Sequence, residues 1–249
     1  MDERQDKKRF ITLLDNMERS KDRQQHFRHF CEMAYCALAK NTAPNEEVAN
    51  RLEERYMEIV HSYPNKDDIR AMPEMVILTM NALNRGGCDF LGEIAGEIDA
   101  LDKRNAQFFT PYDVAKMMAL ITLPDVGAII REDGFFSTSD PAAGAGCMLL
   151  AAADVVESSG YDVMESMSVH AVELNKSTYH MLYVQLALRG IPAEVVHGNS
   201  LSLETFETAY TPVALHFARK HGCLFKTHES NTAQTSQNPV SAQLSLFDI

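Results

Sequence analysis

The chain has 249 residues, a hydrophobic content of 45% and a formal net charge of −12. That is enough apolar chain for one large domain or two smaller ones. The acidic balance argues against a stand-alone, high-affinity DNA binder, because neutralising phosphates takes clustered Lys and Arg. No apolar run long enough to span a bilayer occurs and no signal-peptide pattern opens the chain, so it reads as soluble and cytoplasmic, with no membrane partner.

Residues 1–104 read as an N-terminal helical domain. Apolar residues recur at helical spacing in Phe10-Ile11-Leu13-Leu14-Met17 and in Phe27-Phe30-Cys31-Ala34-Tyr35-Leu38. A loop at Asn41–Asn45 precedes a helix over Glu46–His61, and Tyr63-Pro64-Asn65 breaks the chain again. Lys66–Leu83 is the next helix, with a kink expected at Pro73. Asn84-Arg85-Gly86-Gly87 is a turn signal, and Asp89–Ala100 reads as the last helix of this part. Residues 1–30 hold eight basic and six acidic residues, a mixed-charge helical face rather than a phosphate-binding patch.

From 105 to 225 the pattern changes to alternating strand and helix. An amphipathic helix runs from Tyr112 to Leu120. Phe135–Asp140 is a first strand and Gly144–Ser158 a helix. Ser168–Glu173 is a second strand, followed by a helix over Lys176–Leu188 that stops at Gly190. Ala193–Asn199 is a third strand, and Pro212–Phe217 reads as a short fourth. The alternation predicts an α/β fold with a mostly parallel sheet. Residues 226–242 are polar with little to bury and read as a disordered linker; residues 243–249 form a separate tail. The five cysteines are scattered, with no CxxC pair, so no disulfide framework or zinc site is suggested. None of the nine histidines falls at metal-ligand spacing.

The segment Ser139-Asp140-Pro141-Ala142-Ala143-Gly144-Ala145-Gly146 carries the most information. Strand, glycine turn and helix is the arrangement that holds a nucleotide-like cofactor at a helix N-terminus. The glycines matter because a Cβ would keep the cofactor off the backbone. The spacing is not GxGxxG. Glu173 ends the second strand, where an acid suits a bidentate hydrogen bond to two ribose hydroxyls. Asn199 ends the third. Singly, each has a plain alternative: Asp140 as a helix cap, Glu173 as a solvated carboxylate, Gly144 and Gly146 as an ordinary turn. In this order on three successive strand ends, they point to a cofactor site.

Upstream lies Gln107-Phe108-Phe109-Thr110-Pro111. This segment followed by the Asp140–Gly146 loop resembles the adenine-N6 DNA methyltransferases, most closely the modification (M) subunits of type I restriction-modification systems. The resemblance runs from about Asp89 to about Leu203 and includes Leu91-Gly92-Glu93-Ile94. It implies a truncated Rossmann-like methyltransferase sheet behind an N-terminal helical domain, and S-adenosylmethionine (SAM) as cofactor. It further implies that Gly144 and Gly146, with Ala142, pack against the methionine part. Glu173 with Leu174 would take the ribose, Asn199 the adenine, and Thr110 and Pro111 would approach from the preceding helix. Relatives usually carry Asp where Asn199 stands; Asn both donates and accepts.

Adenine-N6 transfer also needs a pocket for a flipped base. The family builds it from an Asn/Asp-Pro-Pro-Tyr/Phe segment after the fourth strand. No such segment is present: Tyr210-Thr211-Pro212 lacks the acid or amide and the second proline, and Asn238-Pro239-Val240 lies in the polar linker. No catalytic residue is therefore assigned. The expected function is a SAM-dependent adenine-N6 DNA methyltransferase-like protein that modifies DNA with help from a partner chain. The alternative is a non-catalytic SAM-binding accessory or decoy. A SAM-dependent enzyme acting on a small molecule is a weaker third reading. The tail Gln243-Leu244-Ser245-Leu246-Phe247 resembles the pentapeptide by which bacterial DNA polymerases and repair proteins dock on the replication sliding clamp. Leu246 and Phe247 suit an apolar pocket, Leu244 a side contact and Gln243 a directional hydrogen bond. A hook packed on its own domain is the plainer reading of those residues.

Overall fold

The computed structural model describes residues 3–98 and 110–225. The Gln107–Phe109 segment, the polar linker and the clamp-like residues Gln243 to Phe247 lie outside these. Five helices come first: α1 (Glu3–Asp15), α2 (Arg23–Ala39), α3 (Glu46–His61), α4 (Lys66–Arg85) and α5 (Phe90–Glu97), with a short 3-10 turn at Lys40–Thr42. Their starts are set locally. Asp22, Asn45, Asn65 and Asp89 each accept a backbone N–H from the first turn that follows, satisfying donors the helix leaves open. α4 runs through Pro73 and takes in Asn84 and Arg85, which the turn signal had placed outside it. Gly86, at φ +70°, ends it.

Then come α6 (Tyr112–Thr122), α7 (Val126–Asp133), β1 (Phe136–Asp140), α8 (Cys147–Ser158), α9 (Val163–Ser166) and β2 (Met167–Glu173). After these follow α10 (Lys176–Leu188), β3 (Ala193–Asn199), β4 (Glu204–Tyr210) and α11 (Ala214–His221). The described strands form one sheet in the order β1-β2-β3-β4, with the first three parallel and β4 antiparallel to β3. Right-handed crossovers between neighbours added in sequence put α8 and α10 on the same face. The fold is α/β, with a four-stranded mixed sheet among the described residues.

One apolar core runs through the helical half and the sheet half. Phe10 anchors it, edge-on to Phe27, Phe30 and Phe90. α10 is its centre: Thr178 to Leu186 are all buried, because the helix meets the sheet on one side and α2 and α4 on the other. A helix apolar all round needs such a sandwich. Arg9 pairs with Glu74, Lys7 with Glu93 and Glu97, and Arg23 with Asp15, so these basic residues of the first thirty are neutralised within the fold.

The expected fourth strand at Pro212–Phe217 is corrected. That stretch enters α11, with Ala214 and Phe217 buried at an i, i+3 spacing against Phe135 and Leu224; a short apolar run does not by itself distinguish strand from helix. The fourth strand is instead Glu204–Tyr210, whose mostly exposed residues leave little alternation to read. It approaches β3 closely at Gly198, where a Cβ would lie 2.6 Å from the Glu204 carbonyl oxygen, beside an irregularity in the register. No helix among the described residues is long and apolar enough to cross a membrane.

Candidate functional site

The three parallel strands end at one edge of the sheet, where open α/β sheets receive ligands. Asp140 ends β1, Glu173 ends β2 and Asn199 ends β3, on adjacent strands. Asp140 turns the chain: its Oδ1 accepts the Ala142 N–H at 3.0 Å. The next residue, Ala143, donates its N–H to the Val172 carbonyl of β2 at 3.0 Å, so the loop is tied to the neighbouring strand. Gly144 and Gly146 both have positive φ (+57° and +98°), a region costly for side chains. A Cβ on Gly146 would also meet Leu182 at 2.9 Å.

Glu173 joins the pieces. Its Oε2 accepts the Gly144 N–H at 3.0 Å and its Oε1 the Asn175 N–H at 2.7 Å. Burial pushes its carboxyl above the ordinary range, with the backbone N–H donors of Asn175, Gly144 and Leu174 pulling the other way. An ionised carboxylate has about four lone-pair positions, so beyond those three donors it retains acceptor capacity for a ligand hydroxyl. Leu174 is exposed beside it, and the Asn175 side chain caps α10. The Asn199 amide oxygen accepts from the N–H groups of Leu201 and Ser202 at 3.0 and 3.3 Å. Thr110 and Pro111 are exposed at the start of α6, and the Cys147 thiol donates to the Thr110 carbonyl at 3.3 Å. That bond sets the end of the upstream motif against the first residue of α8. Ala142 is exposed on the loop.

Behind the loop lies a buried polar network that sequence reading missed. The Gln185 side-chain nitrogen donates to the Ala145 carbonyl at 2.8 Å and to Asp89 Oδ1 at 2.7 Å, and its oxygen accepts the Leu91 N–H at 2.9 Å. Asp89 also accepts the Gly92 N–H at 3.1 Å. Gly92 is required there, since a Cβ would lie 2.2 Å from the Asp89 carboxylate; the glycine in Leu91-Gly92-Glu93-Ile94 was the available signal. Residues 89–92 thus hold the glycine loop from beneath.

Burial pushes the Asp89 carboxyl up to about 6, against the donors Gln185 and Gly92. The folded value lies above the unfolded one, so its stabilising contribution is full below about pH 4 and lost as pH rises through about 6. Relative to Asp89→Asn, the native chain should therefore lose about 2–3 kcal/mol of stability between pH 4 and pH 7.5. Urea unfolding of both chains across that range checks this; parallel pH profiles would contradict it.

No group of three His, Cys, Asp or Glu side chains among the described residues could hold a metal ion. What the arrangement offers is a glycine cradle, an acceptor-only carboxylate and an amide, a set that suits an adenosine-bearing ligand. No curated protein and no solved structure matches the chain. A family model described as N-6 DNA Methylase matches residues 94–220, about half the chain, spanning β1 to β4 and every strand-end residue above. The chain belongs to the N-6 DNA methylase family.

Proposed function

We propose that this chain is the SAM-binding part of an adenine-N6 DNA methyltransferase of the type I modification-subunit kind. The observation that carries the reading is the set of Asp140, Glu173 and Asn199 on three adjacent strand ends beside the Gly144–Gly146 turn, all within the matched span. SAM would supply an electrophilic methyl group on a sulfonium. The chain's own residues bind and orient. Glu173 accepts a ribose hydroxyl, Leu174 flanks the ring system and Asn199 donates to the adenine. The Ala142–Gly146 main chain lies along the methionine part, with Thr110 and Pro111 closing the other side.

The base pocket is supplied from outside these residues, in this reading by a partner chain that also grips DNA. Two features support a partner. β1 is an edge strand among the described residues. α6 packs on α8 yet leaves Val114, Met117, Met118, Leu120 and Ile121 exposed, a contiguous apolar face of the kind that marks an interface. The tail Gln243-Leu244-Ser245-Leu246-Phe247 is proposed to dock on the sliding clamp, which would bring an acidic protein to DNA; Phe247→Ala should abolish capture of purified clamp by the chain.

A second reading, a non-catalytic SAM-binding accessory or decoy in a restriction-modification complex, is favoured by the lack of an Asn/Asp-Pro-Pro-Tyr/Phe segment in these 249 residues. Expression in methylation-deficient bacteria, together with a modification-complex partner chain that supplies the base pocket and beside Asp140→Ala, separates the two. New N6-methyladenine that disappears with Asp140→Ala supports the enzyme. No methylation from a chain that still binds SAM supports the accessory. Methylation that survives the substitution overturns the cofactor assignment.

A further inference from the structure

A cavity of about 340 Å³ lies between α2, α3, the first turns of α10 and β4, and none of the cofactor-site residues above lines it. His180 projects into it. This imidazole is 4% exposed and stacks on Tyr35, with ring centroids 4.7 Å apart and planes 23° apart. It makes no hydrogen bond to any described residue, and neither of its nitrogens is a sealed buried atom. Burial pushes its pKa down to about 4, so at neutral pH it offers one donor and one acceptor nitrogen. That pair suits the edge of a heterocycle and not an isolated anion.

The rest of the wall is complementary. Phe206, on β4, leaves half of its surface exposed at the cavity, a face on which a planar ring can lie. Two further cations line it. Lys176 makes no ion pair among the described residues, and Arg51, largely exposed, is held only by a 3.6 Å ion pair with Glu207. Arg55 is occupied, bound bidentately to Glu32 at 2.7 and 3.0 Å. Glu207 accepts the Tyr35 hydroxyl at 2.8 Å and keeps its charge, which Arg51 balances. The Cys36 thiol, pushed up to about 12 by burial, is no nucleophile here.

We propose that this cavity binds a ligand of the mononucleotide class, its heterocycle hydrogen-bonded to His180 and lying along Phe206, its phosphoryl group held by Arg51 and Lys176. The volume is within the range of small-ligand pockets. Arg51 comes from the helical half and Lys176 from α10, whose preceding residues Glu173 to Asn175 belong to the cofactor site. The ligand would therefore bridge the two halves of the molecule next to that site. The proposal does not depend on SAM binding.

Calorimetric titration of the full chain with AMP, adenosine and inorganic phosphate tests it. AMP should bind at one site per chain, more tightly than adenosine or phosphate, and equally well with S-adenosylhomocysteine present. Arg51→Glu with Lys176→Glu, both at the rim, should weaken AMP by about 10-fold or more. His180→Phe, which keeps the stacked ring and removes its nitrogens, should weaken AMP to a similar degree. Absence of AMP binding at millimolar concentration overturns the proposal. So does AMP that competes with S-adenosylhomocysteine and ignores the Arg51 and Lys176 changes, or phosphate that binds as well as AMP.

Discussion

Glu173→Gln should weaken SAM and S-adenosylhomocysteine binding by about 100-fold, the loss of roughly 3 kcal/mol expected when two charge-assisted hydrogen bonds are disrupted. The carboxylate ends β2 at the centre of the proposed site and is acceptor-only, so it can receive a ribose hydroxyl while holding the Gly144, Leu174 and Asn175 N–H groups. An amide of the same shape turns one acceptor into a donor. That donor faces a backbone N–H, so this bond fails, and the bond to the ribose loses its charge assistance. The fold should survive, because the Ala143-to-Val172 bond and the Asn175 cap remain. Calorimetry gives the affinity, and far-UV circular dichroism checks the fold. A change below about 3-fold would remove Glu173 from the ribose position.

Gln185→Leu should lower unfolding stability by about 3–9 kcal/mol, since it strands three buried partners at about 1–3 kcal/mol each. The side chain is fully buried, so water cannot replace it. The Ala145 carbonyl, the Leu91 N–H and the Asp89 carboxylate all lose a partner at once. Asp89 then carries its charge with less support in a site that already disfavours ionisation. The loss is a large fraction of the 5–15 kcal/mol typical of a folded domain. Cofactor affinity should fall as well, because Ala145 sits between the two glycines of the turn. Urea unfolding measures the first effect; a loss below about 1 kcal/mol would show that the network is replaceable.

The parts of the fold that were legible in the sequence are those encoded by neighbours. α10 and β3 were expected with the boundaries they have, because Asn175 caps one end of the helix and Gly190 follows the other, and an apolar strand ends at Asn199. The glycine turn was legible because Gly144 and Gly146 take backbone angles that few other residues adopt. β4 was not, because what makes it a strand is pairing with β3 across a hairpin; most of its side chains are exposed. α11 was misread because six residues of apolar character fit either period. The polar network under the loop was invisible for a different reason. Asp89 and Gln185 are 96 residues apart, and nothing local to either announces the other. Asp89 read simply as the start of a helix, and it is that too. The His180 cavity is likewise a product of packing, assembled from two helices of the first half, one helix of the second and the strand that was missed.

The most direct measurement is a calorimetric titration of the purified 249-residue chain with SAM. The account predicts one site per chain, micromolar affinity and loss of binding in Glu173→Gln. A folded chain that takes up no SAM at millimolar concentration would contradict it, leaving a methylase-family fold without the cofactor site its strand ends are proposed to form.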